Sequence, residues 1–153
     1  MRAALEEAHL AFARDEVPIG AVAVHSVSGE IMARAGNRTR ELCDPTAHAE
    51  MQIIREICRL ECAQRAPEYD IYITLEPCPM CAAALSYARV RTIYFGASDV
   101  KSGALTSSIQ LYSFSPLHHK PVVIPGVLAD PCAQILKDFF AQKRAQKNAV
   151  EMI

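Results

Sequence analysis

Two short motifs, far apart along the chain, constrain the fold most because they have to meet in space. The first carries His48 and Glu50, two positions apart, and the second is a Pro-Cys-x-x-Cys sequence that supplies Cys78 and Cys81. One histidine and a C-x-x-C pair form a zinc-ligand set, and three protein ligands leave the fourth zinc position to water. Glu50 is then free to take a proton from that water. The pair of motifs predicts a hydrolytic zinc enzyme.

A structural zinc knuckle, or two packing cysteines and a core histidine, is the alternative explanation of the same residues. Either motif alone is a weak signal, since C-x-x-C and H-x-E sequences arise in many contexts. A closed knuckle requires a fourth ligand, however, and it gives Glu50 no role. The combination therefore favours a catalytic site over a structural one.

Both motifs are predicted to lie at helix starts. Asp44 and Pro45 form a helix start signal, with the aspartate as a possible cap and the proline in the first turn. Residues two apart point away from each other inside a helix, so His48 and Glu50 reach one site only near the first turn. Pro79 suits the first position of the next helix. Two helix N-termini should therefore converge on the metal, where their partial positive charges help to hold hydroxide.

Helical and strand patterns alternate along the chain. This alternation favours an α/β layered fold with a mixed sheet. Residues 99–120 carry no clear pattern, and Pro125 confines the last strand to a sheet edge or shortens it. The predicted helices span 2–14, 45–58, 80–88 and 133–147, and the predicted strands span 21–24, 30–35, 71–75, 92–95 and 121–127.

Length and composition limit the kind of protein. With 153 residues, 51% of them hydrophobic, the chain is expected to form a single domain over residues 1–153. No apolar run approaches the roughly 20 residues of a membrane span, and the first residues lead into an amphipathic pattern, so we expect a cytoplasmic protein without a membrane segment. A formal net charge of −1 means that any contact with nucleic acid has to be local.

Four cysteines lie outside the zinc motif. Cys43, Cys58, Cys62 and Cys132 are expected to be reduced, because a chain of this size can bury a core without disulfides. Cys58 and Cys62 lie one helical turn apart and could bind metal. Buried cysteine behaves as a small hydrophobe, however, and core packing is the favoured role for this pair.

The motifs and several further stretches resemble the bacterial tRNA-specific adenosine deaminases of the cytidine deaminase superfamily, whose H-x-E and P-C-x-x-C signature is established. The similarity covers nearly the whole length, and a distant relative that acts on free cytidine would lack its C-terminal part. One departure is the sequence Leu-Thr-Ser-Ser at residues 105–108, where the family usually has glycine and serine. The similar stretches are residues 15–21, 36–38, 45–50, 74–81, 95–97, 99–104, 126–130 and 138–140.

The resemblance implies a three-layer α/β/α fold with a central mixed five-stranded sheet. It also implies a homodimer that deaminates the wobble adenosine of a tRNA anticodon stem-loop to inosine. In that scheme one Zn²⁺ per subunit is bound by His48, Cys78 and Cys81, and Glu50 is the catalytic proton shuttle. A deaminase of a free base such as guanine or cytosine, and a zinc-dependent interaction module without catalysis, remain as alternatives.

Five residues match substrate-binding positions of the family. Asn37 and Ala49 match positions at the base, Asp99 and Lys101 match positions near the anticodon nucleotides, and Phe140 matches an aromatic that shapes the RNA site. An asparagine after glycine is also an ordinary turn former, and Phe140 could instead belong to the core, although it and its neighbour Phe139 cannot both face inward. His118 and His119, in a loop, are expected to be solvated and without a metal role.

Overall fold

A computed structural model describes residues 1–114 and 116–151, so the patternless segment 99–120 is described except at residue 115. Helices and strands alternate as predicted. None of the helices in these residues is both long and apolar enough to cross a membrane. In chain order the elements are α1 (Arg2–Ala13), β1 (Gly20–His25), β2 (Ile31–Gly36), α2 (Ala49–Leu60), β3 (Tyr69–Leu75), α3 (Pro79–Tyr87), β4 (Thr92–Ala97), a 3-10 turn (Leu111–Ser113), β5 (Val122–Ile124) and α4 (Ala129–Glu151).

The five strands form one mixed sheet in the order β2-β1-β3-β4-β5. Strand β1 is antiparallel to both β2 and β3, whereas β3, β4 and β5 run parallel. The mixed five-stranded sheet is therefore confirmed. Strand β5 lies at an edge and ends just before Pro125, because proline cannot donate a hydrogen bond to a neighbouring strand.

Helices cover both faces of the sheet. On one face, Ile53 and Ile57 of α2 and Leu85 of α3 pack with the buried side chains Ile73 and Phe95 of the central strands. This cluster is the main hydrophobic core, and it supplies most of the buried apolar area on that side.

The opposite face carries α1 and α4, which touch through Phe12 and Phe139 with ring centroids 5.4 Å apart. Both helices lie very close to the sheet. A Cβ on Gly20 of β1 would overlap the backbone of α1, and one on Gly96 of β4 would overlap the Cys132 side chain of α4. The expected three-layer arrangement is confirmed, with glycines where a helix meets a strand most closely.

The predicted start of α2 is wrong by four residues. The helix begins at Ala49, with His48 as its N-cap residue. Asp44 instead closes a local turn, because its Oδ1 accepts hydrogen bonds from the backbone N–H and the hydroxyl of Thr46, both at 2.7 Å. An aspartate can cap a turn as readily as a helix, so the local signal did not distinguish the two.

Helix α4 also differs from its prediction, since it begins at Ala129 and places Pro131 inside its first turn. A proline is tolerated there because the first N–H groups of a helix have no partner within it. The cysteine prediction is partly wrong as well. Cys58 is half-buried, but Cys62 is exposed at the end of α2, where φ is +49°, and does not pack in the core.

Candidate active site

The zinc motifs lie at the N-termini of two helices that face each other. His48 is the N-cap residue of α2 and Cys78 is the N-cap residue of α3, both with extended backbone. Pro79 occupies the first position of α3, where its missing N–H has no effect, and Cys81 follows in the same turn. The predicted convergence of two helix starts is present in the structure.

The three candidate ligand atoms have the spacing of a metal site. The Nδ1 atom of His48 lies 3.7 Å from Sγ of Cys78 and 3.5 Å from Sγ of Cys81, and all three atoms lie within 4.8 Å of one another. Tetrahedral zinc with ordinary Zn–S and Zn–N bonds holds such atoms about 3.5–3.8 Å apart. Among residues 1–114 and 116–151 no other group of three His, Cys, Asp or Glu side chains is close enough to share an ion. The donors therefore fit Zn²⁺.

The same three side chains share protons. A hydrogen bond from the Cys81 thiol lowers the pKa of Cys78 to about 4, and that sharing, together with burial, raises the pKa of Cys81. The hydrogen bond to Cys78 also raises the pKa of His48. Such pKa shifts arise where several ligand atoms share too few protons. A bound dication would take the place of those protons.

Glu50 stands beside the three ligands in the first turn of α2. Its side chain is only 3% exposed, and its Oε2 is the one buried side-chain oxygen or nitrogen of the described chain without a hydrogen-bond partner. Burial raises the pKa of this carboxyl to about 7, and the nearby Cys78 thiolate adds to the shift. A carboxyl that titrates near neutral pH can both accept and return a proton, which is the requirement for an acid/base group.

Asn37 holds the start of α2. It follows β2, is 4% exposed, and its Oδ1 accepts a hydrogen bond of 2.9 Å from the N–H of Ala49. Its Nδ2 hydrogen-bonds to no described residue. The turn interpretation of Asn37 is therefore wrong, because the backbone forms no turn at residue 37 and the side chain is buried against the start of α2. Ala49 lies there too, with its N–H already bound to Asn37.

Asp99, Lys101 and Phe140 line a single cavity of about 720 Å³ at the carboxyl ends of β3 and β4. Phe140 is 45% exposed whereas Phe139 is buried, so the alternative that Phe140 belongs to the core is wrong. Asp99 also shapes its own turn, since its Oδ1 accepts hydrogen bonds from the N–H groups of Lys101 and Ser102. The structure thus brings three predicted substrate residues together.

Sequence reasoning missed Arg144 as a residue of this cavity. Its side chain lines the same space as Phe140, which lies one helical turn earlier on α4. The i, i+4 spacing of an aromatic and an arginine on one helix is the signal that could have identified it. The expectation for His119 was also wrong in part: it is half-buried, and its Nε2 lies 2.8 Å from the carbonyl oxygen of Val90.

Several known proteins are similar to this chain in sequence or in fold. Residues 1–97 match the family described as the cytidine and deoxycytidylate deaminase zinc-binding region. A tRNA-specific adenosine deaminase of Agrobacterium fabrum (strain C58 / ATCC 33970) is 51% identical over 94% of this chain and 93% of its own length. One from Bacillus subtilis (strain 168) is 41% identical over 97% of this chain and 91% of its length.

Solved structures agree with the sequence relatives. A structure from studies of A-to-I editing by tRNA:A34 deaminases at the wobble position of transfer RNA is 51% identical, with a TM-score of 0.85 over 89% of this chain and 97% of that chain. A guanine deaminase from Bacillus subtilis is 28% identical, with a TM-score of 0.60 over 74% of this chain and 82% of that chain. The similarity to the tRNA deaminase is thus greater in sequence, in fold and in length.

Proposed function

Because the chain belongs to the family of tRNA-specific adenosine deaminases, we propose that it converts adenosine to inosine at the wobble position of a tRNA anticodon. The observation that carries the proposal is the cluster of His48, Cys78 and Cys81 around the buried carboxyl of Glu50. The reaction exchanges the amino group at C6 of adenine for an oxygen from water and releases ammonia.

Three residues of the site would bind the metal, and a fourth would transfer protons. His48, Cys78 and Cys81 would hold Zn²⁺, which when bound supplies a water acidic enough to act as a nucleophile near neutral pH. Glu50 would accept one proton of the attacking water and pass it to N1 of the adenine ring. It would then take the second proton from the oxygen added at C6 and give it to the departing amino group, which leaves as ammonia. Its burial and its pKa of about 7 support both halves of this cycle.

Asn37 would fix the orientation of the base. Its Oδ1 accepts a hydrogen bond from the N–H of Ala49, which restrains the amide, and its Nδ2 donor would be available to a ring nitrogen of the flipped adenine. A fixed donor helps catalysis because little entropy is lost when the base arrives.

The neighbouring cavity would receive the nucleotides next to the edited one. Phe140 offers an exposed ring on which a base can stack, Lys101 and Arg144 carry positive charge for phosphates, and Asp99 can accept a hydrogen bond from a base edge. An anticodon loop requires only a few phosphate contacts, so a net charge of −1 is compatible with an RNA substrate.

We infer a homodimer as the active unit, and the cytoplasm as its location. Exposed apolar side chains such as Tyr87 on α3, which is 74% exposed, support an association of this kind. Light scattering on the purified protein should give twice the mass of the 16.8 kDa chain. A single-chain mass at micromolar concentration would contradict the dimer.

The substrate is tested by incubating the purified protein with an anticodon stem-loop and, separately, with free adenosine, guanine and cytosine, while ammonia release is measured. We expect release from the stem-loop. Release only from a free base would replace the proposal with the free-base alternative.

Two variants test the proposed roles in the site. Glu50→Gln should retain zinc and lose activity by about 10²–10⁴-fold, the usual contribution of an acid/base group. His48→Ala should lose zinc, as measured by metal analysis. An active Glu50→Gln enzyme would remove Glu50 from the mechanism, and a full zinc content in His48→Ala would remove His48 from the ligand set.

A further inference from the structure

We propose that Glu76 is a positioning residue whose buried carboxylate holds residues 99–107, here called the substrate loop, in the conformation that binds RNA. The inference rests on the proposed function, because the loop carries Asp99 and Lys101 of the RNA cavity. Glu76 itself is only 2% exposed and does not line that cavity, and its carboxylate contacts the loop instead.

The carboxylate of Glu76 collects hydrogen bonds from both ends of the loop. Its Oε1 accepts from the backbone N–H groups of Leu105 at 3.1 Å, Thr106 at 2.7 Å and Ser107 at 3.0 Å, and from the Thr106 hydroxyl at 3.2 Å. Its Oε2 accepts from the N–H of Asp99 at 3.1 Å and from the Ser107 hydroxyl. One side chain therefore closes a loop of nine residues.

Several N–H groups that point at one carboxylate stabilise its charged form. Four backbone N–H groups and two hydroxyls meet the two oxygens of Glu76, and an ionised carboxylate, which only accepts hydrogen bonds, matches such a set of donors. Hydrogen bonds of this charged kind are stronger than bonds between neutral groups. The loop is thus closed around an anion.

The loop also packs directly on the segment that leads into the zinc motif. A Cβ on Gly103 would overlap the Glu76 carboxylate and would lie 2.5 Å from the carbonyl oxygen of Asp99, so only glycine allows this approach. The N–H of Ala104 donates to the carbonyl oxygen of Pro77 at 2.9 Å. Since Cys78 is the next residue along the chain, Glu76 and Pro77 fix the loop relative to the metal ligands.

The hydroxyls of Thr106 and Ser107 make this arrangement a property of the chain's own sequence. They lie in the Leu-Thr-Ser-Ser stretch at 105–108, and each adds a donor to the same carboxylate. Without the carboxylate, the N–H groups of the loop would have to donate to water or to other acceptors. Asp99 and Lys101 would then be ordered only when RNA binds, which weakens binding while leaving the chemical step intact.

The test compares Glu76→Gln with Glu68→Gln, a control that removes an exposed glutamate at the other end of the same stretch of chain. The amide introduced by Glu76→Gln keeps the shape of the side chain but brings a donor toward groups that are themselves donors. For this variant we expect the stem-loop KM to rise about tenfold, which corresponds to about 1.4 kcal/mol. The kcat should stay within about twofold and the zinc content should not change. The control should match the wild type.

Hydrogen exchange gives a readout that does not depend on activity. The N–H groups of residues 99 and 105–107 should exchange about tenfold faster in Glu76→Gln, while those of β3 and β4 keep their protection. Ser107→Ala retains the carboxylate and removes one donor, so KM and exchange should move in the same direction by a smaller factor. If Glu76→Gln does not fold, KM and hydrogen exchange in Ser107→Ala still test the proposal.

An unchanged KM, unchanged exchange in the loop, or a fall in kcat together with zinc content would each overturn the proposal, because the last result means that Glu76 supports the metal site. If the wild type neither binds nor deaminates the stem-loop, the proposed function fails. Loop exchange then decides the positioning role by itself, and faster exchange in Glu76→Gln supports it.

Discussion

Asn37 has a structural role at the start of α2 and a proposed role in substrate binding, and two substitutions distinguish them. Its Oδ1 accepts the hydrogen bond from Ala49 at the start of α2, and its Nδ2 is free for the substrate. Asn37→Ala removes both groups. Asn37→Asp keeps an acceptor of the same shape for Ala49 and replaces the Nδ2 donor with a second carboxylate oxygen.

The expected stability changes follow from the hydrogen bond to Ala49. In Asn37→Ala the buried N–H of Ala49 loses its acceptor, which costs about 1–3 kcal/mol. For a chain of about this size each kcal/mol lowers the Tm by about 2–4 °C. The Tm of Asn37→Ala should therefore fall by about 2–12 °C. The Tm of Asn37→Asp should fall less, because the acceptor for Ala49 remains and a negative charge at a helix N-terminus is favourable, which offsets part of the cost of burying that charge.

Activity should separate from stability in this pair. Both variants lose the Nδ2 donor, so kcat/KM on the anticodon stem-loop should fall in both, by about 5–150-fold for a loss of about 1–3 kcal/mol in transition-state binding. Thermal melts and initial rates of ammonia release, taken on the same preparations with matched zinc content, measure the two effects. Wild-type activity in Asn37→Asp would refute the role of Nδ2, and an unchanged Tm in Asn37→Ala would refute the role of Oδ1.

Three further predictions concern stability. Thr74→Val removes the Oγ1 that accepts a 3.0 Å hydrogen bond from the buried N–H of Gly20, so the free energy of unfolding in urea should fall by about 1–3 kcal/mol. The control Thr92→Val breaks no hydrogen bond between described residues, and its free energy of unfolding should fall less. Burial, and then the hydrogen bond to Glu61, raises the pKa of Tyr69 from 10.0 to about 12. Because the unfolded chain loses this proton first, the associated stability is complete below pH 10 and is lost as the pH rises toward 12, so Tyr69→Phe should lose less stability than the wild type across that window. Dialysis against a chelator should lower the Tm and abolish ammonia release, and added zinc should restore both; an unchanged Tm would mean that the native state gains no stability from the metal.

Much of the fold could be predicted because its signals are local. Hydrophobic periodicity identified the order of helices and strands, and Pro125 correctly placed β5 at an edge. Element boundaries were less accurate. Asp44 closes a turn and not a helix, and α4 begins four residues before its predicted start, because capping residues serve both turns and helices.

The candidate metal site was predicted from residue types and helix starts. The structure places the ligand atoms of His48, Cys78 and Cys81 within 4.8 Å of one another. Their roles, and that of Glu50, stay predictions that the variants above test. The sequence could not indicate that Asn37 is buried against α2, since its local context of glycine and asparagine is that of a turn.

The alternating elements, the candidate zinc ligands and the family could be predicted from the sequence, because each depends on residue identity and short-range spacing. Which polar groups are buried together depends instead on how the helices pack on the sheet. Glu76 looks like an ordinary charged residue in the sequence, yet it closes a loop that begins 23 residues later. Likewise Arg144 joins a cavity with Asp99 only because α4 packs against the carboxyl ends of the strands. Such contacts form between segments that are far apart in the sequence. Local sequence patterns do not show which of these segments lie close together in the fold.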